Sequence, residues 1–92
     1  MFLLTYHVKP TVDRQDDKGT SGAFVNCYIV TDSLKTADKI ARREIKEQNW
    51  DILEREDAQT VDSESIADDK REYYDQALID KTVFVFYTYP EE

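Results

Sequence analysis

Apart from its many carboxylates, the chain has few side chains able to do chemistry: one histidine, His7, one cysteine, Cys27, and six tyrosines. A Cys–His pair could act as nucleophile and base, but only if the two side chains meet. Phe2, Leu4, Tyr6 and Val8 alternate with Leu3, Thr5, His7 and Lys9, as in a strand with one apolar and one mixed face. Ala23, Val25, Cys27 and Ile29 line one face of a second such segment, with Phe24, Asn26, Tyr28 and Val30 on the other. With the two rows of Phe2–Val8 and Ala23–Ile29 assigned to the helix-covered side, His7 and Cys27 project from opposite faces. They can then share neither a proton nor a metal ion. No His or Cys has zinc-ligand spacing, and Asp16-Asp17 offers at best a weak calcium ligand. No metal or cofactor is expected.

Other catalytic patterns fail for local reasons. Glu54 and Glu56 would share a strand face, as a glycosidase pair could, but on a short acidic strand with no pocket to perturb them. No serine stands in a nucleophile elbow, and Gly19-Thr-Ser-Gly22 does not join a strand to a helix as a phosphate loop must. Tyr6, Tyr28, Tyr73, Tyr74, Tyr87 and Tyr89 could line a pocket, although tyrosines in such numbers are more often core residues with a polar tip at the surface.

The elements that would position these groups can be read from periodicity. Pro10 to Gly22 is polar, contains both glycines, and is expected to be a flexible loop. Asp32 or Ser33 can cap a first helix reaching about Gln48, with Leu34, Ala37, Ala41 and Ile45 as its apolar stripe. Asn49 can end it in the left-handed conformation. Residues 50–61 read as one edge strand or as a hairpin. Ser63 or Ser65 is expected to start a second helix, with Ile66, Tyr73 and Ala77 turned inward and Asp68, Glu72 and Asp75 outward. Thr82 to Tyr89 is a last strand without a single charged residue.

The order ββαβαβ in 92 residues predicts one α+β domain: a two-layer, ferredoxin-like sandwich. A mainly antiparallel sheet of four to five strands would carry both helices on one face. Its other face would then be bare. That face would carry Phe24 and Tyr28 with one phase of the last strand, Val83, Val85, Tyr87 and Tyr89. An apolar patch of this kind usually marks an interface, so the reading is a homodimer.

The formal charge is −8, and residues 51–80 account for all of it. Such a balance argues against nucleic-acid binding. It leaves open a basic protein as partner for Asp68, Glu72 and Asp75. The basic stripe of the first helix, Lys35, Lys39, Arg42 and Lys46, could alternatively meet the acidic stripe of the second. No apolar run is long enough to cross a membrane, and one unpaired cysteine fits a reducing, cytoplasmic setting. The function expected from sequence is a non-enzymatic, self-associating interaction module. The alternatives are an acidic inhibitor or immunity-type protein that binds a basic macromolecule, and a small cofactor-free enzyme or ligand-binding dimer with a tyrosine-lined pocket.

Overall fold

The computed structural model describes residues 1–11 and 20–90. The chain runs β1 (Phe2–Pro10), β2 (Thr20–Ile29), α1 (Leu34–Glu47), β3 (Trp50–Thr60), a 3-10 turn (Asp68–Lys70), α2 (Arg71–Asp80) and β4 (Thr82–Pro90). The expected element order is present, and 50–60 is a single strand. Of the segment 10–22 that was expected to be a loop, Pro10 and residues 20–22 belong to strands, and 12–19 lie outside the described residues.

The four strands form one antiparallel sheet in the order β3-β1-β2-β4. The helices do not share a face. Leu4, Tyr6, Val8, Val25, Cys27 and Ile29 pack with Ala37, Ala41 and Ile45 of α1. Leu3, Tyr28, Val83 and Val85 point the other way and pack with Ile66, Tyr73 and Ala77 of the α2 region. The sheet is therefore sandwiched between helices, and the ferredoxin-like, two-layer expectation is corrected. The physical reason is the two-faced character of β2 and β4. Each face carries its own apolar row, and a helix with one apolar stripe can cover only one of them. This arrangement also rules out contact between the basic stripe of α1 and the acidic stripe of α2 within one molecule.

Local rules explain the helix ends. Ser33 Oγ accepts from the Thr36 amide at 3.2 Å, which caps α1. Asn49, at φ 66°, ends it as expected. α2 begins later than expected. The Asp62 carboxylate accepts from the amides of Glu64 and Ser65, at 3.0 and 2.9 Å, and closes a separate turn. Ala67 then reverts to extended backbone at ψ 146° before the 3-10 turn. Ile66 is still buried under α2. Among the described residues no helix is long and apolar enough to cross a membrane.

On the α1 face, Trp50 from one edge strand and Phe86 from the other stack at 5.5 Å over the central strands. Tyr6 lies in the same core and donates its hydroxyl to Asp38 at 2.5 Å. Asp38 also accepts from Arg42 at 2.9 Å and Arg55 at 3.4 Å. Burial alone would raise the Asp38 carboxyl, but the Tyr6 hydroxyl and the two guanidiniums outweigh it and hold its pKa below the usual carboxylate range. Burial first, then Asp38, pushes the Tyr6 phenol well up.

Candidate functional site

α2 covers only part of its face. Beyond its N-terminal end the sheet shows a transverse row, one residue per strand: Glu54 opposite His7, His7 opposite Phe24, and Phe24 opposite Tyr87. Cross-strand neighbours stand close enough to interact directly. The His7 and Phe24 rings stack at 4.6 Å with 13° between their planes. Phe24 and Tyr87 keep 40% and 41% of their surface exposed.

Two irregularities bring further groups onto His7. β3 has an extra residue between the partners of Thr5 and Tyr6, and this bulged residue is Glu56. Its carboxylate lies 3.9 Å from Nδ1 of His7. On the other side, Tyr89 reaches across β2, and its hydroxyl shares a 2.6 Å hydrogen bond with Nε2 of His7. With the imidazole proton on Nδ1, facing Glu56, Nε2 accepts from the Tyr89 hydroxyl. The reach across β2 requires Gly22. A Cβ there would fall 2.3 Å from the Tyr89 hydroxyl oxygen and 2.8 Å from the Val8 carbonyl. Glycine is needed here for close approach, not for an unusual backbone angle.

A second cluster borders the first at the start of α2. Lys70 Nζ and the Tyr87 hydroxyl are 3.0 Å apart, and the ammonium lies over the rings of Tyr87 and Tyr73 at 5.2 and 5.9 Å. The Tyr87 hydrogen bond is the main cause that raises the Lys70 pKa, so the group is a firm cation. Tyr28 packs on Tyr73, ring centroids 5.9 Å apart. It is fully buried, and its hydroxyl has no hydrogen-bond partner. Burial pushes the Tyr28 phenol up, and Lys70 is the charge that most opposes this.

The structure sorts the candidate residues as follows. Phe24, Tyr28, Val83, Val85, Tyr87 and Tyr89 do share one face of the sheet. They are not all open, because Tyr28 is sealed under α2 with Val83 and Val85 half-buried beside it, and only Phe24 and Tyr87 are well exposed. Asp68, Glu72 and Asp75 are exposed, the last two on the side of α2 turned away from Ala77. Cys27 lies in the α1-side core, across the sheet from His7, and burial pushes its thiol well up. Among the described residues no group of three or more His, Cys, Asp or Glu is placed to hold a metal ion. The Tyr89–His7 contact, 82 positions apart in the chain, was not foreseen. Its one sequence signal was Gly22, which had been read as part of the loop. Searches of protein-family models, curated proteins and solved structures return no match.

Proposed function

We propose that the protein is a self-associating interaction module whose partner is a second copy, paired along the open edge of β4. The observation that carries this is the contrast between the two edges of the sheet. β3 is charged, with Asp51, Glu54, Arg55, Glu56 and Asp57, and its register is broken twice. Charge and bulges are the usual means of keeping an edge strand from pairing. β4 has neither along Thr82–Tyr89: it is uncharged, β-branched or aromatic throughout, and its one register shift faces the Thr20–Gly22 end of β2. Among the described residues no strand pairs with its outer edge.

An antiparallel pair of β4 strands would extend the sheet to eight strands around a two-fold axis perpendicular to it. This moves the expected dimer contact from the sheet face, where α2 stands, to the sheet edge. Backbone hydrogen bonds supply the attraction, and Tyr87 and Thr88, both exposed, flank the seam. The carboxylates of β3 lie on the opposite edge of the sheet, away from that seam.

Sedimentation velocity over a micromolar concentration series tests the proposal. A dimer is expected, with Thr88→Lys weakening it at least about tenfold, because it places lysines along the shared edge. Amide exchange of β4 should slow with concentration in the wild type and not in the variant. A wild-type chain that stays monomeric throughout the series overturns the reading.

A further inference from the structure

We infer that the row Glu54, His7, Phe24 and Tyr87, with the carboxylates beside it, is a docking surface for an arginine side chain of a basic partner polypeptide. This is the part of the sheet face that α2 does not reach, since none of the four belongs to the cluster packed beneath that helix. Its aromatic part is continuous. His7 and Phe24 stack at 4.6 Å, and Tyr89 lies against both, with ring centroids 5.9 and 6.0 Å away. Its acidic part comes from β3. Directly opposed residues of antiparallel strands share a face, so Glu54 lies on the side of His7 and Asp57 on the side of Thr5. The bulge adds Glu56, whose carboxylate comes within 3.9 Å of the His7 ring. Arg55 points the other way and is held by Asp38 of α1. Glu54, Glu56 and Asp57 are exposed, and none of them pairs with a lysine or arginine among the described residues. The cations nearest the row are themselves engaged: Lys9 stands opposite Asp51, and Lys70 is held on Tyr87 at the far end.

Charge complementarity selects the occupant. Carboxylates on a chain of net charge −8 attract cations and repel phosphate and nucleic acid. A metal ion fits poorly, because no group of three or more His, Cys, Asp or Glu converges among the described residues. A guanidinium fits the combination of rings and carboxylates. It is planar and weakly hydrated, lies flat on an aromatic face, and its fork of N–H groups grips a carboxylate at two points. An ammonium is a strongly hydrated point charge and lacks both the plane and the fork. Glu54, Phe24 and Tyr87 are exposed rather than enclosed, as on a surface that meets another chain. Arginine is also among the residues that concentrate binding energy at such interfaces. The carboxylates stand on β3, at the edge opposite β4, so the inference is independent of the β4 pairing.

The test is an NMR titration of the full chain with acetyl-Gly-Arg-Gly-amide, alongside the same peptide with lysine or citrulline in place of arginine. The expected result is saturable shifts centred on Glu54, Glu56, His7 and Phe24, with a Kd of about 1 mM for the arginine peptide. Citrulline keeps the shape without the charge and should bind at least about tenfold more weakly. Lysine keeps the charge without the plane and should bind about threefold more weakly. Glu54→Gln/Glu56→Gln should weaken the arginine peptide about tenfold, and Phe24→Leu, which removes the ring but stays apolar, about threefold. Glu44→Gln/Glu47→Gln makes the same charge change on α1, across the sheet, and should leave the affinity within about twofold. Any of the following overturns the inference: shifts that stay linear to about 10 mM peptide, equal affinity for the lysine or citrulline peptide, shifts centred on the acidic side of α2, full affinity in Glu54→Gln/Glu56→Gln, or an equal loss in Glu44→Gln/Glu47→Gln.

Discussion

Replacing Tyr28 by phenylalanine should make the protein more stable, and the size of the gain can be worked from its surroundings. The ring is fully buried and packs on Tyr73 at 5.9 Å, contacts that phenylalanine retains. What disappears is one hydroxyl that pays desolvation on folding without a hydrogen bond in return. An unsatisfied buried polar group costs about 1–3 kcal/mol. The lost attraction to Lys70 offsets little, because that ammonium is solvated. A net gain of roughly 1 kcal/mol follows, equivalent to about 4–8 °C in Tm for a domain of this size. In urea, with a slope of about 1–2 kcal/mol/M, the midpoint should move up by roughly 0.5–1 M at constant slope. Melts followed by circular dichroism at fixed protein concentration would measure both, since self-association would otherwise shift the midpoint. A loss of stability above about 0.5 kcal/mol would refute the reasoning, because it would show the hydroxyl to be satisfied in solution.

Other perturbations have equally definite outcomes. Tyr6, Tyr28 and Cys27 all have pKa values raised by burial, so their contribution is full below the unfolded values of about 8.5–10 and is lost as pH rises beyond them; urea midpoints should therefore fall steeply in alkali, and less steeply in Tyr28→Phe. Lys81 ends α2 at φ 74°, a left-handed position that favours glycine, and Lys81→Gly should raise stability by about 0.5–1 kcal/mol in thermal melts. Gly22→Ala should cost about 1–3 kcal/mol by displacing the Tyr89 ring, and a strongly non-additive Gly22→Ala/Tyr89→Ala cycle would identify the ring as the cause. Asp38→Ala should cost about 1–3 kcal/mol near neutral pH by leaving the Tyr6 hydroxyl without its acceptor. Because the Asp38 pKa is lowered in the folded state, that difference should shrink as pH falls through the carboxylate range, leaving the part due to the acceptor that a neutral carboxyl still offers Tyr6.

Much of the fold was legible because strand and helix periods leave different marks. The alternation of Phe2–Lys9, the stripe Ala37–Ala41–Ile45 and the inward pair Tyr73 and Ala77 sit where their spacing puts them, whereas Ile66 joins the same cluster from the turn before α2. Apolar rows on both faces of β2 and β4 were also visible. Their consequence was not, because spacing along the chain says that two faces need cover but not which helix crosses to which side. The second face was therefore left bare, and Tyr28, Val83 and Val85 were assigned to a partner when α2 already covers them. The His7 cluster was hidden for another reason. It depends on a bulge at Glu56 and on Tyr89 crossing over Gly22, and both are register effects between strands far apart in sequence. The place of Lys70 over Tyr73 and Tyr87 follows from the 3-10 turn that delays α2, which no spacing along the chain announces.

The unequal edges of the sheet also bear on how far association can go. A sheet with two permissive edges adds copies at both ends and grows without limit, as fibrils do. Here growth at β3 would have to straighten two bulges and bring together rows of carboxylates. A chain that is adhesive on one side and blunt on the other saturates after a single pairing. Under the proposed β4 pairing, the acidic strand would therefore also set the stoichiometry, by acting as a stop.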